Sequence, residues 1–209
     1  MTRYLLFIAV LLSFVSVAQT SAITDKGDEV VLYDDGTWKY VNDDNQPLMI
    51  TLNEEEFIRP KSSSFKLKSD IVSMNFWFNP KLWSFGKAKN NPAAEYELQL
   101  KGQDLYAMII CEKVEIPLVS LKSIAYENAK LNAPDLVIVE QDYRMVNGKK
   151  MLFLQMDGTI QGIKFSYFGY YYSSASGTIQ FLSYTSQNLL KEYRQICEDL
   201  LNGMESTED

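Results

Sequence analysis

The sequence predicts an α+β domain, a mostly antiparallel sheet flanked by helices, with an N-terminal β-hairpin ahead of it. Three observations carry this. Tight turn sequences join most of the β-rich runs, which favours antiparallel neighbours. Only two stretches of the main domain repeat apolar residues at helical spacing, and each keeps a polar face for solvent. Hydrophobic residues make up 46% of the 209 and aromatics 13%, enough to fill a core between sheet and helices.

Residues 1–22 read MTRYLLFIAVLLSFVSVAQTSA. Arg3 supplies a short positive start, residues 4–17 are apolar, and small residues follow. This is the form of a secretory signal peptide, with cleavage after Ala18 or Ala22. The run is shorter than a usual membrane span. The mature chain is therefore expected to be soluble and exported, periplasmic or secreted, with no stable membrane span once the leader is cut.

Residues 23–41 form the expected hairpin, in which two β-rich runs flank the turn Asp34-Asp35-Gly36-Thr37. Residues 42–64 are polar and read as a linker. Asp43, Asp44 and Asn45 within it lack the spaced ligands and bidentate Glu of a calcium loop, so a solvated acidic linker is the expectation. Residues 65–204 form the main α+β domain, and residues 205–209 a disordered tail.

Within that domain, residues 71–78 alternate apolar and polar and end at Asn79-Pro80. Residues 81–92 read as a loop that carries Trp83 and Phe85. Tyr96, Leu98 and Leu100 alternate with charged and amide residues. Residues 105–115 are apolar at their centre, as a central strand should be. Pro117 suits the first turn of a helix, and Asn132-Ala133-Pro134 stops it. Residues 136–145 and 150–156 flank an Asn147-Gly148 hairpin turn. A long strand over residues 159–172 follows, with aromatics on both faces. Residues 178–184 run back. Thr185 or Ser186 caps a closing amphipathic helix that Asn202-Gly203 ends.

The segments EIPLVSLKSIAYENAK, VNGKKMLFLQMDG, IKFSYFGYYYSS and GTIQFLSYTSQNL, followed by the closing helix, resemble the PsbP-like fold and exported bacterial proteins of that architecture. The resemblance runs from about Ser64 to Gly203. It implies a layered α/β sandwich and a binding or accessory role in place of catalysis. It carries no catalytic signature and transfers no site residue.

Composition narrows the chemistry further. The chain has no histidine, which removes Ser-His-Asp and Cys-His catalysis and histidine metal sites. The net charge of −7 loses the one positive charge of Arg3 on leader removal and becomes −8. Such a chain repels phosphate backbones, so nucleic acid is not an expected partner. The ten glycines are scattered, and no phosphate-cradling loop is present. Neither cofactor nor metal is expected, and the chain reads as a non-enzyme.

The aromatic residues are the candidates for binding a protein or small ligand of the envelope. Tyr170 and Tyr172 lie in the long aromatic strand, Trp83 in the expected loop, and Trp38 and Tyr40 in the hairpin. Tyrosine and tryptophan join an apolar ring to a polar tip, useful in a pocket or an interface. The competing reading is sheet core beneath the helices. Cys111 and Cys197 are the two cysteines. A disulfide is allowed in an exported protein, against two buried thiols acting as small hydrophobes. Glu140, Asp142 and Arg144 share one strand face and read as a solvated charged stripe.

Overall fold

The computed structural model describes residues 20–24, 29–33, 36, 38–40, 50–89 and 91–208. The chain divides into two compact units, Met1–Pro47 and Leu48–Asp209. Residues 1–19, which hold most of the expected leader, and residues 43–45 lie outside the described residues.

The first unit contains an antiparallel sheet of β1 (Thr20–Ile23), β2 (Glu29–Leu32) and β3 (Trp38–Tyr40). The expected hairpin is β2–β3, with Leu32 opposite Trp38 and Val30 opposite Tyr40. Gly36 in the turn has φ +80°, a conformation that glycine adopts without steric cost. The added strand β1 begins inside the residues expected to leave with the leader.

The second unit comprises β4 (Leu52–Phe57), β5 (Phe65–Lys68), β6 (Met74–Phe78), β7 (Trp83–Lys87), β8 (Ala94–Leu100) and β9 (Leu105–Glu112), then α1 (Leu118–Lys130). After it come β10 (Val137–Val146), β11 (Lys149–Ile160), β12 (Ile163–Ser174), β13 (Gly177–Ser186), α2 (Gln187–Leu201) and β14 (Met204–Ser206). Eight strands form one sheet in the order β4-β10-β11-β12-β13-β9-β8-β7. All neighbours are antiparallel except β4 and β10. A small sheet, β14-β6-β5, packs with α2 on one face. There Phe76, Phe78, Phe153, Phe168, Tyr170, Phe181, Cys197 and Leu201 make the larger core. On the other face α1 covers β11 and β12 through Leu121, Ala125, Leu152, Leu154 and Tyr171. The architecture is the layered α+β sandwich that the sequence predicts.

Four boundaries differ from expectation, each for a physical reason. The segment taken as linker contains β4, which pairs in parallel with β10 at the sheet edge. Its Glu54, Glu55 and Glu56 mask the strand in sequence, yet charge is what an edge strand carries to avoid pairing with other chains. Residues 83–87, taken as loop, form the opposite edge strand β7. The expected tail contributes β14, whose backbone pairs with β6. The long aromatic strand is shorter at its start: Gln161 (φ +51°) and Gly162 (φ +82°) make a two-residue turn between β11 and β12.

The closing helix ends where Asn202-Gly203 predicts, but not through a left-handed glycine. A Cβ at Gly203 would collide with the Trp77 carbonyl. The Trp77 N–H donates to the Gly203 carbonyl at 2.8 Å. The glycine permits a close backbone approach that carries the chain from α2 into β14. At the other end Ser186 occupies the N-cap position, but its hydroxyl makes no capping bond.

Candidate functional site

Alternation along β9 buries Leu105, Ala107, Ile109 and Cys111 against the α2 face. It leaves Tyr106, Met108 and Ile110 on the opposite face, only partly covered. On that same face α1 packs over β11 and β12 and β13 buries Gln180 and Leu182, whereas Gln99 of β8 and Ser84 and Gly86 of β7 are exposed. A strand with apolar residues on both sides predicts cover on both sides. Here the second side is half open, and this departure locates the site.

Strand register lines up the side chains of the open face. Tyr167 of β12 stands opposite Tyr184 of β13, which stands opposite Tyr106 of β9. Tyr106 stands opposite Gln99 of β8, and Gln99 opposite Ser84 of β7. The next row reads Gly169, Leu182, Met108, Glu97 and Gly86. The Tyr106 and Tyr184 rings stack at 5.6 Å with 22° between planes, and Tyr167 meets Tyr184 edge-on at 6.1 Å. Beside this row lies an open groove of about 580 Å³, lined among others by Ser84, Gly86, Lys89, Gln99, Tyr106 and Tyr184. That volume falls in the range of small-ligand sites. Asn91 borders it and donates to the Met108 sulfur at 3.5 Å.

Burial pushes the Tyr184 hydroxyl up to about 12, and the Glu97 carboxylate and the neighbouring tyrosines act in the same direction. Burial raises Tyr167. Burial also raises Tyr106, with the Asp104 carboxylate adding to it. The three phenols stay protonated at neutral pH and offer hydroxyl donors and ring faces.

The residues singled out from sequence are scattered. Trp38 and Tyr40 are 51% and 37% exposed and touch edge-on at 5.1 Å. Trp83 is 3% exposed in β7 and borders a cavity of about 30 Å³, room for little more than a water. Tyr170 is fully buried: it donates to Asn202 Oδ1 at 2.9 Å and accepts from Arg144 Nη1 at 3.3 Å. Tyr172 packs against the same core. Trp83 and Tyr170 are therefore core residues, and Tyr172 is half-buried at the edge of that core. The aromatic-pocket expectation moves to the other face of β12 and to Tyr106 and Tyr184, which the sequence reading did not select. Their signal was present in two facing strands, each with a tyrosine at an outward position.

Cys111 and Cys197 stand as free, buried thiols in the structure. Cys197 sits beside Ser183, which pairs with Ala107. Cys111 lies four residues further along β9, about 13 Å at strand rise, beyond disulfide reach. Burial pushes the Cys111 thiol up to about 12 and the Cys197 thiol up to about 11, which makes both poor nucleophiles.

The charged stripe is solvated at Glu140 but buried at Arg144. Arg144 is 2% exposed and donates to both oxygens of Asp142, at 2.8 and 3.3 Å. Its guanidinium lies 3.7 Å from the Phe153 ring centroid. Arg194 of α2 grips both oxygens of Glu140 at 2.9 Å, and Glu198 lies 3.6 Å from both arginines. Charges from β10 and α2 thus neutralise one another at the helix flank. Among the described residues no group of three Cys, Asp or Glu is placed to hold a metal ion. No helix there is long and apolar enough to cross a membrane.

Among solved structures, cyanobacterial PsbP (CyanoP) from Synechocystis sp. PCC 6803 is similar, with a TM-score of 0.51 at 13% identity over 70% of this chain and 94% of that one. A Pseudomonas aeruginosa protein of unknown function follows with a TM-score of 0.45 at 8% identity, over 69% and 98% of the two chains. A Bacteroides thetaiotaomicron VPI-5482 protein gives 0.42 at 10% identity, over 70% and 50%. No family model matches the chain, and no curated protein matches it significantly.

Proposed function

We propose that this chain of PsbP-like fold is a non-catalytic, exported binding protein of the cell envelope, and that its binding surface is the β9-β8-β7 end of the large sheet, on the face that carries Tyr106. The observation that carries the reading is the tyrosine row Tyr167–Tyr184–Tyr106 beside an open groove. Rings with polar tips on a rigid sheet can hold a partner at little entropic cost. The sequence of residues 1–22 supports export. The lack of histidine, the buried thiols and the mutually neutralised carboxylates on β10 support a role without catalysis.

A photo-crosslinking residue at Met108, with a second chain carrying it at the exposed Ile124 of α1, tests this in the native host. Capture at 108, absent at 124 and competed by wild-type protein but not by Gly86→Trp, is the expected result. A Cβ at Gly86 meets open space, so that substitution fills the groove and spares the fold. Equal capture at both positions, or competition by both proteins, would place binding elsewhere. A second reading rests on the exposed Trp38–Tyr40 pair, which suits a contact with a protein partner through the N-terminal sheet.

A further inference from the structure

We propose that the groove takes a glycan, with a neutral sugar ring seated against the outer face of Tyr106. This rests on the binding-face reading above. The stack fixes the geometry. Tyr106 and Tyr184 are nearly parallel, 22° apart, on adjacent strands, so one face of Tyr106 is taken by its neighbour. The next positions in the row are Gln99 and Ser84, neither of which carries a ring to continue the stack. That face therefore borders the groove above a floor of Gln99, Ser84 and Gly86. A sugar ring laid there presents its C–H face to the Tyr106 ring, and its hydroxyls meet amide, hydroxyl and carboxylate groups. Those groups are Gln99, Asn91, Ser84, Glu97 and the phenol tips, a set able to donate and accept.

Charge selects a neutral ligand. Lys87 is already held by Asp70 at 2.8 Å and by Glu95 at 3.5 Å. Lys89 and Glu97 also line the groove, one charge of each sign on a chain of net charge −7. An anionic ligand meets no cluster of cations here, and a polycation meets no acidic trough. A protein interface would want a desolvated aromatic or arginine pocket at its centre, whereas this floor is amide, hydroxyl and glycine. Gly86 lies on edge strand β7 and carries no side chain, so the groove runs out over the sheet edge. A polymer could continue past the seated ring.

The test is a printed array of neutral and anionic glycans probed with the exported chain, its best ligand then titrated calorimetrically. Neutral oligosaccharides should bind, Gly86→Trp should weaken them about tenfold or more, and Tyr106→Ala should do likewise. Tyrosine ring signals of Tyr106 and Tyr184 should shift on titration in the wild type. No binding to any glycan, binding to anionic glycans alone, or equal affinity in Gly86→Trp would overturn the glycan. If crosslinks at 108 persist in that case, the face stands and its partner is not a glycan. If the crosslinks fail as well, the binding face falls with it.

Discussion

Arg144 is the residue on which the polar side of the fold turns. Its guanidinium is buried between Phe153 and Phe57 and bonded to Asp142 and Tyr170. Arg144→Ala leaves Asp142 without its bidentate partner and opens a void. The expected loss is about 3–5 kcal/mol of unfolding free energy, read from urea denaturation. The fully buried Tyr170 and Cys197 set an alkaline limit. Burial pushes them up to about 12 and about 11, from ordinary values of 10.0 and 9.0. Above the ordinary values the unfolded chain has released protons that the fold still retains, so stability falls as pH rises. The melting temperature should hold up to about pH 9 and drop from there toward pH 11. A flat profile across that range would mean these groups are hydrated. Little of this was legible from sequence. Glu140, Asp142 and Arg144 alternate in the same way whether water or a helix covers them. The residues that meet them, Arg194 and Glu198, lie about fifty positions away along the chain. Tyr170 was legible as a strand residue but not as a core one, because β12 carries aromatics on both faces.

At the scale of elements, Asn147 ties three segments together. Its φ of +47° suits the Asn-Gly turn between β10 and β11. Its amide donates to the carbonyls of Asn202 and Met204 at 2.8 and 2.7 Å. Its side-chain oxygen accepts the Arg59 N–H at 2.9 Å, just after β4. Asn147→Gly keeps the turn geometry and removes these bonds. A cost of about 1–3 kcal/mol, with faster amide exchange in β14 and at Arg59, is expected. An unchanged exchange pattern would mean the turn backbone alone holds those segments. The turn was legible from the Asn-Gly pair, but β4 and β14 were not. Short edge strands bury few side chains and owe their place to pairing partners far along the chain. The first unit adds a test of processing. Cleavage after Ala18 keeps all of β1, whereas cleavage after Ala22 leaves it only Ile23. If the exported chain retains the three-stranded sheet, N-terminal sequencing should start at residue 19; a start at residue 23 would mean the sheet works with two strands.

For the whole molecule, the layered α+β architecture follows from alternation, turn pairs and two amphipathic helices, all local signals. What escaped was the relation between layers. The sequence predicts two helices but not how much of an eight-stranded sheet they cover, and the proposed site lies where their cover ends. α1 is 13 residues long, about 20 Å. Eight strands at 4.8 Å spacing span about 34 Å, so one helix beside β11 and β12 does not reach the exposed Gln99, Ser84 and Gly86 of β8 and β7. Tyr106, Met108 and Ile110 carry the trace of this, being largely apolar residues left only half-buried on the face that α1 covers further along the sheet. The most direct measurement is native mass spectrometry of the chain and of Gly86→Trp, each recovered gently from the envelope of its host. A bound mass that accompanies the wild type and is absent from Gly86→Trp is the predicted result. The same bound mass on both proteins would contradict the groove as the binding site.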